Sequence, residues 1–367
     1  MALHYNPRTI TTGLYFYLDA GDINSYPTRG IATTWTDYNS QQANYSVIGT
    51  DGIYIKSTYT GWIGYFPAVV TSTGYYTVMF DYVGDSNGTL VLDNDGIVDN
   101  QYNASISVTT SVQTFVKSIN IDTTGDIRHY LRRGDGGNIT VTNFRFFKSG
   151  TLYDLSGNSR TANIANGVLF SKDNKGILNF DGSNDYITMN SAANDYAWTA
   201  NGSVGSSTMC YELWYKTTDT SGLLISKPWN GSGRYNILVY PGSFSLLVGT
   251  GVYQGGDQSN GINFPASADN NWHQLVIWAS STQMGYYLDG GASKGTINHG
   301  LTGGASDYGN AGLPLGIMSL YFYGEGWSGN TGFSIEGSVS IFRSYRRILS
   351  EAEVLQNYNA QKSRFNI

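Results

Sequence analysis

What most constrains this chain is a rhythm. Short runs such as GLYFYLDA, YYTVMFDYV, TLVLDN, QTFVKSINI, ITVTNFRFF, MCYELWYK, YNILVY, HQLVIWA and GSVSIFRSY recur along it, each bounded by Gly, Asn, Asp or Pro. Each is of strand length and alternates apolar with polar residues. Such alternation puts one strand face on a core and the other on solvent, as in antiparallel sandwich sheets. Composition points the same way: 46 Gly and 29 Tyr stand against Glu only at positions 212, 325, 336, 351 and 353, so helix formers are scarce. One helix is expected over about 351–361, where Ser350 and Glu353 have capping-box spacing and Val354, Leu355 and Tyr358 form a stripe. The expected fold class is all-β, an antiparallel sandwich with a short C-terminal helix.

Charge removes several functions. With 13% charged and 14% aromatic residues the chain is too apolar to be disordered. A net charge of −6 with Lys plus Arg totalling 21 argues against a nucleic-acid partner, which needs a basic face. The short cluster Arg343, Arg346 and Arg347 reads as a solvated or packing face. No apolar stretch approaches the roughly 20 residues that span a bilayer, so membrane insertion is not expected. Cys210 is the only cysteine, which forbids an intrachain disulfide and a cysteine zinc site; in TMCYELWYK it reads as a small buried hydrophobe. The opening MALHYNPRTITTG shows no basic segment followed by an apolar one, and no export signal is expected.

Particular phrases carry a resemblance. GLYFYLDAGDINSYP with TTWTDY, then YDLSGNSRTANIANG, FDGSNDYITM, NWHQLVIWASSTQMGYYLDG and VSIFRSYRRILSEAEVLQNYNAQKSRF, in that order, resemble a laminin-G-like domain of the concanavalin-A-like superfamily. The resemblance implies a hairpin made by the "W-H" and "Y-x-D-G" strands and a last strand running into a short helix. The departure is an interruption between Tyr38 and Asp154, flanked by the related phrases TTWTDYNSQQANYSVIGT and GTLYDLSGNSRTANIANG. An inserted domain accounts for it, since insertion is tolerated at exposed loops. The expected division is 1–38 plus 151–367 as the outer sandwich and 39–150 as an insert that resembles a galactose-binding-like jelly roll of the carbohydrate-binding-module kind.

Hydrolysis of glycosides needs two carboxylates flanking the bond. The superfamily's glucanases set theirs on one strand as E-x-D-x-E, and no such phrase occurs: Glu212 stands alone in YELWYK, and Glu351 with Glu353 belong to the helix start. No G-x-S-x-G elbow accompanies the scattered His4, His129, His273 and His299. His273 reads as packed and hydrogen-bonded at a strand start rather than as a base. Non-enzymatic function is therefore expected, and no cofactor is required. Calcium is the cofactor to consider, because loops offer Asp181, Asn184, Asp185 and Asp289 as oxygen ligands, with Asp93, Asn94, Asp95 and Asp99 as a weaker set; turn chemistry explains the same residues. For sugar binding, aromatic faces stack on pyranoses and Asn, Asp and Arg reach hydroxyls. Trp62, Tyr65, Trp229, Arg234, Tyr253 and Trp327 stand in Gly/Asn-rich contexts that read as loops, whereas Trp214 and Trp278 read as core. The same enrichment also serves protein interfaces.

The opening MALHYNPRTITTGLYFYLDAG is similar to that of short laminin-G-like proteins of tailed bacteriophages. That resemblance implies a virion protein on a tail fibre, baseplate or capsid exterior, with other virion subunits and host surface polysaccharide as partners. Self-association as a homo-oligomer through an exposed edge strand is compatible with it. Glycan adhesion, structural decoration and polysaccharide depolymerisation are the readings to separate, the last opposed by the missing glutamate pair.

Overall fold

The computed structural model describes residues 9–22, 25, 35–37, 42–49, 51–56, 61–97, 103–189, 208–230, 234–248, 258–301, 315–318 and 334–367. It is an all-β protein of antiparallel sheets, with the helix Glu351–Gln361 near its C-terminal end. Two compact units divide the chain: residues 1–26 with 151–367, and residues 27–150.

The outer unit has two eight-stranded sheets. In the first, the strands Leu169–Ser171, Ile177–Asp181, Glu336–Tyr345, Met209–Thr217, His273–Ala279, Gln283–Leu288 and Ser293–Asn298 lie in that order. Glu336–Tyr345 is long enough to hold two partners on one side. Its first half pairs with Ile177–Asp181 and its second half with Leu14–Asp19, while Met209–Thr217 runs along its other side. The second sheet runs from Thr151–Tyr153 through Thr161–Ala165, Tyr186–Met189, Leu315–Ile317, Ile225–Asn230, Arg234–Tyr240 and Ser243–Val248 to Gln258–Asn263.

Alternation alone would leave one side of Met209–Thr217 in water, yet the strand is buried on both. Tyr211, Leu213 and Tyr215 alternate with Cys210, Glu212 and Trp214. The second set is covered from the C-terminal side: Cys210 packs in a cluster with Val276, Trp278, Leu349 and Val354, and Trp214 in one with Trp272, Ile341 and Phe365. Trp214 stacks on Phe365 at 4.7 Å between ring centroids and on Tyr358 at 5.7 Å. The helix thus works as a third layer. Its capping box forms as spaced, with Ser350 N donating to Glu353 Oε2 at 2.9 Å and Ser350 Oγ accepting from Glu353 N.

The second unit consists of two five-stranded sheets. One is ordered Thr36–Asp37, Gly64–Val70, Gly125–Gly136, Gly88–Gly96, Ala104–Val108; the other is ordered Tyr45–Ile48, Gly52–Ile55, Ile139–Lys148, Gly74–Gly84, Gln113–Ile121. They enclose a core around Phe66, Phe80, Phe144, Phe146, Leu92 and Leu131. Phe66 stacks on Phe144 at 4.1 Å.

The boundary at residue 38 is corrected. Trp35 belongs to the core of the second unit, with its ring 4.9 Å from Phe66 and 5.7 Å from Tyr45, and Thr36–Asp37 pairs with Gly64–Val70. Gly64 permits this, because a Cβ there would lie 2.5 Å from the Trp35 ring. Packing of one indole decides where the segment belongs, and the similar wording around Asp37 and Asp154 does not carry them to equivalent places. Asp154 sits in the outer unit, accepting from Tyr17 N at 3.0 Å.

Candidate functional site: an aromatic and charged sheet face

Strand alternation in the second unit sends Ile127, His129 and Leu131 inward and leaves Arg128, Tyr130 and Arg132 outside. The neighbouring strands follow the same register. Tyr130 stands opposite Tyr65 on one side and Asp93 on the other, and Arg128 stands opposite Asp95. Trp62, just before its strand, completes a cluster: its ring is 5.6 Å from that of Tyr130, which is 5.2 Å from that of Tyr65.

Charges are interleaved with the rings. The Arg132 guanidinium carbon lies 4.8 Å from the Trp62 ring centroid and that of Arg128 lies 5.7 Å from Tyr65. Arg128 and Asp95 approach to 3.7 Å, and Tyr130 OH donates to Asp95 Oδ2 at 3.1 Å. Burial raises the Asp93 pKa above the ordinary carboxylate range, and the charge of Arg132 opposes that rise. The Tyr130 hydroxyl is also raised, by burial first and then by Asp95. Chemically, the face offers stacking surfaces flanked by donors and acceptors at hydrogen-bonding reach.

Of the residues named for sugar binding, the structure brings Trp62 and Tyr65 together. Tyr65 is a strand residue rather than a loop residue. Trp229 and Arg234, also expected in a loop, lie within the strands Ile225–Asn230 and Arg234–Tyr240, whose ends Asn230 and Arg234 pair. Tyr253 and Trp327 lie outside the described residues. Sequence reasoning missed Tyr130, Arg128 and Arg132 as members of the face. The signal was present in GDIRHYLRR, whose alternation points Arg, Tyr and Arg to one side.

The calcium ligands do not assemble as a set. Asp181 ends one strand and Asp289 directly follows another, Gln283–Leu288, four places away in the same sheet, about 19 Å at the usual strand spacing and too far for one cation. Asp289 is bound elsewhere, accepting from Gln274 N at 3.0 Å and contacting His273 Nδ1 at 2.9 Å. Asp181 and Asp185 are neighbours in a turn, where Asp185 Oδ2 accepts from Asp181 N and Asp181 Oδ1 from Ser183 N. Burial pushes Asp185 up to about 6, and exposed Asn184 offers its carbonyl oxygen to Asn166 Nδ2 at 2.6 Å. Among the described residues no three His, Cys, Asp or Glu side chains are grouped to hold a metal. The second acidic set is also dispersed, because Asp93 and Asp95 are on the outer face of a strand, Asn94 points into the core, and Asp99 lies outside the described residues.

Glu212 has no catalytic geometry. It is fully buried, with Oε1 accepting from Arg343 Nη1 at 2.8 Å, Gln274 Nε2 at 2.8 Å and Trp214 Nε1 at 3.0 Å, and Oε2 accepting from Asn357 Nδ2 at 2.8 Å. Arg343 is correspondingly a buried ion-pair partner and not a solvated residue. Cys210 is buried and its thiol is pushed up to about 12 by burial, which makes it inert. His273 heads its strand, with Nδ1 2.9 Å from Asp289 and Nε2 3.0 Å from Asp269.

No family model matches the chain, and no curated protein does. Among solved structures it is similar to the ligand-binding domain of botulinum neurotoxin serotype D in complex with N-acetylneuraminic acid, at 15% identity and a TM-score of 0.38 over 57% of this chain and 48% of that one. It is likewise similar to the binding domain of botulinum neurotoxin DC in complex with rat synaptotagmin II, at 13% identity and a TM-score of 0.40 over 58% and 50%. A CBM4 structure matches over 36% of this chain and 84% of its own, at 17% identity and a TM-score of 0.24. The chain thus spans about half the length of the neurotoxin domains it matches. None of these likenesses is close enough to assign a function.

Among the described residues no helix is long and apolar enough to cross a membrane.

Proposed function

We propose that this protein is a non-enzymatic glycan-binding protein that holds a polysaccharide on the outer face of the Gly125–Gly136 sheet. The observation that carries the reading is the contiguity of Trp62, Tyr65 and Tyr130 with Arg128, Arg132, Asp93 and Asp95 on one face. Aromatic faces supply stacking area and the flanking charges supply bonds to hydroxyls. The setting we propose is the exterior of a bacteriophage particle, with other virion subunits and host surface polysaccharide as partners; the opening phrase MALHYNPRTITTGLYFYLDAG supports it.

Titration of the full-length protein against purified host envelope polysaccharides tests the binding. Saturable binding should weaken about tenfold or more in Trp62→Ala and in Tyr65→Ala, the loss expected for a central aromatic contact. Binding to none of them, or unchanged binding by both variants, refutes the site. Release of reducing ends from a bound polysaccharide would overturn the non-enzymatic part, and Asp93 with Asp95 would then be the carboxylates to replace. Mass spectrometry and imaging of purified particles test the setting.

A further inference from the structure

Two cations and two anions surround Tyr130 on this face. Arg128 stands directly opposite Asp95, 3.7 Å away. Arg132 stands opposite Val91, so Asp93, two residues along the same strand, is its diagonal neighbour and feels its charge. Arg128, Arg132, Asp93 and Asp95 flank Tyr130 and balance one another, and exposed Asp126, on the same side of the strand, adds a further anion to the face. The chain as a whole carries a net charge of −6, which repels a polyanion. An acidic sugar placed beside Trp62 would meet Arg132, but only by competing with Asp93 for it. An uncharged sugar faces no such competition, because a carboxylate can accept from a hydroxyl while its guanidinium partner donates to the next one.

We infer, on the basis of the glycan-binding reading, that this face selects uncharged sugars and that Asp93 and Arg132 are the specificity-determining pair that reads their hydroxyls. Trp62 then contributes the stacking surface and the pair contributes the polar contacts at its edge. Arg132 lies over the Trp62 ring, which holds its guanidinium at the edge of the stacking surface before a ligand arrives.

The sign of one substitution tests this. The full-length protein is titrated with neutral polysaccharides (glucan, mannan, galactan, xylan) and with acidic ones (polygalacturonate, alginate, polysialic acid), at ionic strengths below and above about 0.1 M, where screening sets in. Expected is binding to a neutral polymer that is insensitive to salt and that weakens about tenfold in Asp93→Asn, the loss of one charged hydrogen bond. Arg132→Gln should weaken it similarly. Stronger binding to an acidic polymer, raised further by Asp93→Asn and lost at high salt, overturns the selectivity while leaving the glycan site standing. Neutral binding that neither variant alters overturns the role of the pair. Failure of every polymer to bind overturns the site itself. Asp93→Asn is nearly isosteric, and its thermal unfolding alongside the unsubstituted protein separates lost contacts from lost fold.

Discussion

Glu212 and Arg343 lie in the interior of the outer unit, where an isolated charge would be costly. Burial works against the Arg343 charge, but the neighbouring carboxylate more than offsets it and raises its pKa. Around them Asn357 bridges Glu212 to Tyr345 OH and accepts from Ile10 N, and the Arg343 guanidinium lies 4.6 Å from the Tyr17 ring. The network therefore ties the first strand, the central strands and the C-terminal helix at one point. Arg343→Leu should destabilise the outer unit by about 3–5 kcal/mol in urea unfolding, because it leaves Glu212 charged and unmatched. Adding Glu212→Leu to that variant should recover part of the loss. Strict additivity of the two substitutions would show that the pair is not coupled. None of this could be read from YELWYK or FRSYRR, since the partners are 131 residues apart and a lone glutamate looks the same in sequence whether it meets solvent or an arginine.

The elements that were legible are those whose logic is local. The helix start is one: Ser350 and Glu353 are three residues apart, and that spacing alone specifies the reciprocal bonds. Glu353 also takes two bonds from Arg347, at 2.6 and 2.8 Å, and these hold its carboxyl at about 2. Ser350→Ala should cost about 1 kcal/mol in thermal or denaturant unfolding. A cost near zero would mean that Arg347 alone fixes Glu353 and the cap adds nothing. The hairpin of His273–Ala279 with Gln283–Leu288, which the family resemblance implied, also forms. By contrast, LDNDG has turn chemistry, yet Gly88–Gly96 is a strand, because pairing with Gly125–Gly136 on one side and Ala104–Val108 on the other outweighs the local preference. Strand positions mistaken for turns concealed Asp93 and Asp95 as members of one face. Trp62 and Tyr65 were visible, and Tyr130, which joins them, comes to the face through tertiary register.

At the scale of the whole molecule, the two units carry histidines that respond oppositely to pH. His129 is enclosed in the second unit, 4.7 Å from Phe146 and bonded through Nδ1 to Phe66 O, and burial lowers its pKa to about 4. The unfolded chain binds that proton nearer 6.5, so the unit loses stability as pH falls from about 6.5 to 4, by up to about 3 kcal/mol. In the outer unit, burial acts to lower the His273 pKa but bonds to Asp289 and Asp269 raise it overall, and Asp269 is held at about 2. Protonated His273 contributes stability that is fully present below about 6.5 and is lost as pH rises through its raised value. Residues 27–150 contain their own core and should fold when produced alone, with a cooperative transition whose midpoint falls on acidification. A fragment that remains unfolded, or one indifferent to pH over that window, contradicts this account. In the full chain His273→Gln should abolish the loss of stability that the outer unit shows as pH rises above about 6.5.

The pairing of Leu14–Asp19 with the second half of Glu336–Tyr345 has a consequence for synthesis. Leu14–Asp19 cannot find this partner until synthesis has passed Tyr345. The inserted unit is complete once residue 150 has emerged, and at about 5–20 residues per second it precedes its host by tens of seconds. Through that interval Phe16 and Leu18, buried in the finished protein, belong to a strand with no sheet to join. The nascent chain therefore carries a folded guest between an orphaned apolar segment and an unfinished host, and that segment is where a chaperone would find its substrate.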